Sequence, residues 1–342
     1  MSRRRLLALA TLGGTVLLAA FVGVVVATSS SGDNRLTIYT ARSHYGEEEP
    51  FKEFARDSGY DLTLFGGSAP ELYERLRSEG DETRADVLIT TDAANLWRAK
   101  ESGLLEPVRS AALAREVPSR YRDPDGEWFG LTLRARTIMR STKRVPPDAV
   151  TTYAGLGDPR WKGRLCLRSG TSEYNVSFVA DRIAKDGLGT TKAMLERWMA
   201  NDPTILGSDT DVLEAIAEDR CDVGLTNSYY LGRELADDPD FPVAPVWADQ
   251  RGRGTHVNLS GFGVVRGTDD RAGAVRLLEF LARPSEQAVF ARNNKEFPVD
   301  PQVEGSPVIE RLGDFKADPI DVAGAGRHLE DAVRLMDQVG WK

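Results

Sequence analysis

Cysteine is scarce in this 342-residue chain, which has only two, Cys166 and Cys221. Two thiols so far apart make a poor metal site by themselves. Histidine is almost as rare, with His44, His256 and His328 the full set, and neither of the last two has ligand-like neighbours in sequence. Positive charge is in deficit: 44 Lys and Arg face 52 Asp and Glu, for a formal net charge of -8. The body is more acidic still once Arg3, Arg4 and Arg5 are set aside as part of a separable leader. Such a body repels nucleic acid and anionic lipid and suits a cationic ligand. Outside the leader there is no internal repeat, heptad pattern or low-complexity tract, which excludes solenoids and coiled coils. A nucleophile elbow, a zincin helix, paired catalytic carboxylates and a Walker lysine are missing too, so an enzyme is the last expectation.

What is present begins with Arg3 to Arg5, an uncharged and mostly apolar run from Leu6 to Thr28, and a polar stretch from Ser29 to Asn34. This reads as an export segment with its basic end left inside. Val25 and Ala27 suit signal-peptidase cleavage after Ala27, while the run is also long enough to span a bilayer uncleaved as a tether. Either way the body is exported, to the periplasm or the outer face of the cytoplasmic membrane. Ser2, Arg3, Arg4, Leu6 and Leu7 are also compatible with a twin-arginine signal. The apolar run lacks the cysteine that a lipoprotein anchor requires. In an exported protein the even cysteine count favours a disulfide, whereas in the cytosol the same pair would favour buried thiols.

From Leu36 onward short β-branched runs alternate with helix-period segments. Strands are expected at Leu36 to Tyr39, Leu62 to Phe65 and Val87 to Thr90, helices at Glu47 to Asp57 and Pro70 to Ser78, with Asp92 capping a helix that runs to Lys100. Around Trp128 to Arg140 the pattern turns extended, with strands at Gly130 to Leu133 and Thr137 to Met139. A second alternating unit follows: strand Arg164 to Leu167, helices Asn175 to Lys185 and Asp211 to Glu218, strand Val223 to Thr226, and a helix over Tyr229 to Leu235. His256 to Val265 is extended, a return crossing. Arg271 to Ala282, Ser285 to Asn293 and Leu329 to Val339 read as amphipathic helices. The expected class is α/β, with mainly parallel sheets and two lobes joined by two extended crossings that act as a hinge. Residues 1–34 form the leader and linker, 35–132 and 262–312 lobe 1, and 133–261 and 313–342 lobe 2.

Ligands in open α/β sheets gather at the carboxyl ends of strands. Three strand-to-helix turns carry phenol or imidazole there: His44 and Tyr45, Tyr174, and the pair Tyr229 and Tyr230. Any one of these is ordinarily a packing residue with its hydroxyl in water. Together they form a hard-donor set. A trivalent hard cation such as ferric ion prefers anionic oxygen to thiolate. A tyrosine with pKa of about 10 is ionised only to roughly one part in a thousand at pH 7, but a bound cation drives its proton off. Other turns are weaker. Phe65 to Ser68 is read as a turn, Glu47 to Glu49 as a helix cap, and Ser169 to Ser172 as a possible anion cradle before a helix.

Ala85 to Trp97, Arg134 to Met139, Pro159 to Ser169, Glu173 to Asn175, Thr226 to Gly232, Gly252 to Gly263 and Asn293 to Val299 resemble the bacterial ferric-iron-binding proteins of ABC importers, notably those that bind iron without a bridging anion. The resemblance runs from about Leu36 to the C-terminus. It implies a two-lobed, periplasmic-binding-protein-like (type II) fold, and metal ligation by His44, Tyr45, Tyr174, Tyr229 and Tyr230. It also supports a Cys166–Cys221 bond. One departure is that Ser43 separates Arg42 from His44, where many members have the arginine directly before the histidine.

The expectation is therefore a monomeric binding protein that captures Fe(III) as transported ligand and hands it to an ABC permease. His44 and Tyr45 come from one lobe and the three other tyrosines from the other, so the ion bridges the cleft and favours the closed form. The competing expectation keeps the fold and changes the ligand to an anion or a small organic cation held in an aromatic box.

Overall fold

The computed structural model describes residues 34–42 and 48–342; the leader and residues 43–47, with His44 and Tyr45, lie outside the described residues. In chain order the first elements are β1 (Arg35–Thr40), α1 (Glu49–Ser58), β2 (Asp61–Gly66), α2 (Ala69–Glu79), β3 (Val87–Thr90), α3 (Ala93–Glu101), β4 (Leu105–Glu106), α4 (Ala111–Glu116) and β5 (Phe129–Ser141). They are followed by β6 (Leu165–Arg168), α5 (Glu173–Asp186), α6 (Leu188–Met199), β7 (Thr204–Leu206), α7 (Asp209–Ala217), β8 (Val223–Asn227), α8 (Ser228–Asp237) and β9 (Val243–Val246). The last are β10 (Val257–Val265), α9 (Arg271–Leu281), α10 (Pro284–Asn294), β11 (Phe297–Pro298), α11 (Pro307–Glu310), α12 (Val322–Arg327) and α13 (Leu329–Gln338).

The strands run β2-β1-β3-β10-β5-β8-β6-β7, with β5 shared between two halves. Its first half pairs with β10 and β11, and its second half, from Arg136, pairs with β8 and β9. Within the halves β1, β2 and β3 are parallel, as are β6, β7 and β8, whereas β5 and β10 run antiparallel to their neighbours. The mainly parallel expectation thus holds only outside the crossings, because a strand that leaves one half and a strand that returns must run in opposite senses. β5 is also one continuous strand where two were expected. Arg134 and Arg136 interrupt its apolar pattern, yet both are buried, since each finds carboxylate partners inside the protein.

Each half has its own core. One gathers Leu36, Ile38, Val87, Ile89, Leu131, Phe262, Leu278 and Phe290, with α1, α2, α9 and α10 packed on it. The other gathers Ile138, Leu165, Phe178, Leu195, Val223, Leu225 and Trp198, covered by α5, α6 and α13. Helix α6 was not expected from sequence. It shows a stripe at Thr191, Met194, Leu195 and Trp198, but Gly189, Thr190 and Thr191 weaken its helix propensity. The cores meet where α12 lies on α3: a Cβ at Gly326 would fall 2.2 Å from Cε3 of Trp97, so only glycine permits that approach. Among the described residues no helix is long and apolar enough to cross a membrane.

Cys166 and Cys221 are bonded, with Cα atoms 5.8 Å apart, beneath α7 and α8. Their sequence separation is 55, for which chain entropy gives at most about 4 kcal/mol. Replacing both by alanine is expected to lower unfolding free energy by up to that amount in urea melts of oxidised protein. The wild-type protein unfolded and reduced should converge on the variant.

Candidate functional site

Three of the five residues picked out in sequence are described, and all sit where a strand hands over to a helix. Ser172 precedes α5 with extended backbone, and Tyr174 lies in the first turn, its ring buried. Asn227 ends β8, so Tyr229 and Tyr230 open α8. Their rings lie against each other with centroids 4.3 Å apart. Tyr229 is fully buried and Tyr230 half-buried.

A cavity of about 740 Å³ collects them. Tyr174 and Tyr230 line it beside Arg168, Ser169, Thr171 and Ser172, and Gly67, Ser68, Asn95 and Arg98 face them. The facing residues belong to α2, α3 and their preceding turns, so the cavity lies between the two cores. Tyr229 is not among the lining residues, and it packs beside Tyr230 instead.

Guanidinium groups surround these phenols. Arg168 lies over the Tyr174 ring at 5.3 Å, Arg233 over Tyr229 and Tyr230 at 5.1 and 5.7 Å, and Arg134 near Tyr229 at 6.0 Å. Burial works against the charge on Arg168, but Asp209 and the phenols of Tyr230 and Tyr174 together hold its pKa above the ordinary value.

Two buried arginines organise the turns, and their roles were not legible in sequence. Arg136 donates from Nε to Asn175 Oδ1 at 3.0 Å and from Nη1 to Asp209 Oδ2 and Asn227 Oδ1, each at 3.1 Å. One side chain on the crossing strand thus ties the turn that bears Tyr174 to the turn that bears Tyr229 and Tyr230. Arg42 stands just before residues 43–47. It donates to Glu48 at 2.7 Å, Glu296 at 2.9 Å and Ser260 at 2.8 Å, while Arg134 donates to the same Glu296 and Ser260. Burial alone would raise the Glu296 pKa, but Arg42 and Arg134 overcome it and hold the carboxyl down at about 2. The only sequence signal was charge inside an otherwise apolar strand.

Three lesser expectations change. Glu48 stands at the cap position of α1 but makes no cap bond with its side chain, because its carboxylate turns inward to Arg42 and Asn294. Ser68 caps α2 through a reciprocal bond with Glu71, which makes the Phe65 to Ser68 turn a wall of the cavity. His256 is buried with Nδ1 3.1 Å from Asp181 and its pKa lowered by burial, and His328 meets Asp331 at 2.8 Å. Both histidines therefore have carboxylate neighbours, and neither lines the cavity. Ser169 and Thr171 share a hydroxyl contact at 3.0 Å, and Ser172 Oγ is buried without a hydrogen bond among the described residues.

Comparison with known proteins places this geometry. Residues 49–317 match the family model of the bacterial extracellular solute-binding proteins. The chain is 40% identical over 326 residues to iron uptake protein A1 of Synechocystis, covering 93% of this chain and 90% of that protein. It is similar in structure to a Trichodesmium protein solved in complex with iron and citrate ligands, with a TM-score of 0.82 and 36% identity over 90% of this chain and all of that one. The ferric binding protein from Campylobacter jejuni gives a TM-score of 0.84 and 31% identity over the same shares. With the two-cored α/β fold, the cavity between the cores and these matches, the chain belongs to the bacterial extracellular solute-binding proteins.

Proposed function

We propose that this protein captures ferric ion outside the cytoplasm as the binding subunit of an importer, with the metal held by His44, Tyr45, Tyr174, Tyr229 and Tyr230. The observation that carries the reading is that two separate turns put Tyr174 and Tyr230 on one cavity wall, in a chain similar to proteins named for iron uptake and ferric binding. Four phenolates and one imidazole around a trivalent ion leave one net negative charge, and Arg168 beside Tyr174 and Tyr230 offsets it. Arg168 already stands over Tyr174 and Arg233 over Tyr229 and Tyr230, and their positive charge argues against an aromatic box for an organic cation.

The lobes in this reading are 35–132 with 262–312, and 133–261 with 313–342, supported by the two separate cores. The protein acts as a monomer, with its leader either cleaved or kept as a tether. It carries its ion to an ABC permease that recognises the closed form. It is a transport protein and not an enzyme.

Added ferric ion is expected to give a visible tyrosinate-to-iron charge-transfer band that a strong chelator removes. Protons compete for every phenolate, so the band should fade on acidification and binding should release protons measurable in weakly buffered solution. An iron-saturated yet colourless sample would reject the assignment.

A further inference from the structure

Glu173 begins α5, one residue before Tyr174. Its carboxylate is bound entirely from the other side of the cavity: Oε1 accepts from the Thr91 hydroxyl at 2.6 Å, and Oε2 accepts from the backbone N–H of Ala69 at 3.3 Å. Ala69 belongs to the first core and opens α2, whose free N–H groups and positive dipole end favour an anion. Thr91 directly follows β3, and its carbonyl accepts from Arg134 on the crossing strand, so the hydroxyl it offers has a fixed origin. Helix α5 belongs to the second core. Burial and the neighbouring Asp92 raise the Glu173 pKa, against the opposing pull of Thr91, Ala69 and Arg134.

We propose that Glu173 is a clasp across the cleft, a positioning residue that holds the two lobes closed through Thr91 and the N-terminus of α2 and thereby seats Tyr174 against the captured ion. The proposal rests on the ferric-capture reading above. Opening the lobes must break both bonds at once. Losing the clasp should speed ligand escape roughly tenfold, a factor equivalent to about 1.4 kcal/mol.

The test is a double-mutant cycle with Glu173→Ala and Thr91→Val, which alter residues on opposite lobes and leave every tyrosine in place. Each protein is loaded with ferric nitrilotriacetate, and loss of the charge-transfer band to excess chelator gives the release rate. Small-angle scattering of the iron-free proteins gives lobe opening. Each single variant should release iron roughly tenfold faster and have a larger radius of gyration than wild type. The double variant should be no faster than the faster single. Thr91→Val keeps the shape of the side chain, so its melting temperature should stay near wild type, which a purely structural role would not combine with faster release. Rates that multiply in the double variant, or an unchanged rate with Thr91→Val, would overturn the clasp. If wild type fails to take up iron, the capture reading fails, and scattering alone then decides the clasp: equal radii in all four proteins refute it.

Discussion

Tyr230→Phe should lower ferric affinity by at least about 100-fold and remove much of the visible band, while melting within a degree or two of wild type. The phenyl ring keeps its place against Tyr229 and under Arg233, so packing is conserved and the loss is the hydroxyl, with its bond to Arg168 on the cavity wall. Groups that merely support a metal ligand contribute 10–100-fold to affinity, and a ligand itself should contribute at least the upper value. Combining Tyr229→Phe with Tyr230→Phe is expected to abolish uptake altogether, as followed by titration with ferric nitrilotriacetate. An anion or organic-cation binder would tolerate both changes. Retention of iron affinity by the double variant would therefore remove the phenolates from the site.

Glu296→Ala should be the most destabilising single change among the residues described. It would leave Arg42 and Arg134 buried around a missing carboxylate, and breaking a buried charge network in this way typically costs about 3–5 kcal/mol. The pH dependence follows from the same geometry. The native pKa of Glu296 is held at about 2 against an ordinary value of 4.5, so the folded state favours the charged form. The resulting stability, about 3 kcal/mol, is fully present above pH 4.5 and drains away as the pH falls from there toward 2. Urea midpoints of wild type should fall through that window. In Glu296→Gln, which keeps the shape but cannot titrate, the slope contributed by this group should vanish. An unchanged slope would show that the two arginines do not depend on this carboxylate.

Much of the fold was legible because apolar periodicity reports burial. Val87 to Thr90 falls where expected, and Asp92 caps α3 by accepting from the Asn95 N–H. The tyrosine turns were legible because strand ends are where ligands collect, which needed only the order of elements. What escaped was everything carried by buried charge. Arg134, Arg136 and Glu296 look in sequence like solvent-facing positions. They are interior because each is neutralised by a residue remote in the chain, a pairing that periodicity cannot register. Glu173 was noticed only as part of a resemblance, since its partners Thr91 and Ala69 are 82 and 104 residues away. Sequence likewise split β5 in two at those arginines, although the backbone runs straight through.

That uninterrupted strand has a mechanical consequence. Residue Ala135 pairs with Val257 on β10, and the next residue, Arg136, already pairs with Asn227 on β8. A swing of one body against the other must therefore be taken up as twist within a pair of hydrogen-bonded ribbons, not by slack in a loop. Arg134 and Arg136 project from the same face of that ribbon on either side of the pivot. One stays with Glu296 and Ser260, and the other travels with Asn175 and Asp209. The pivot is thus bracketed by two charged anchors, so the angle between the bodies is read directly by the groups that hold the tyrosine turns, with no intervening lever to lose it.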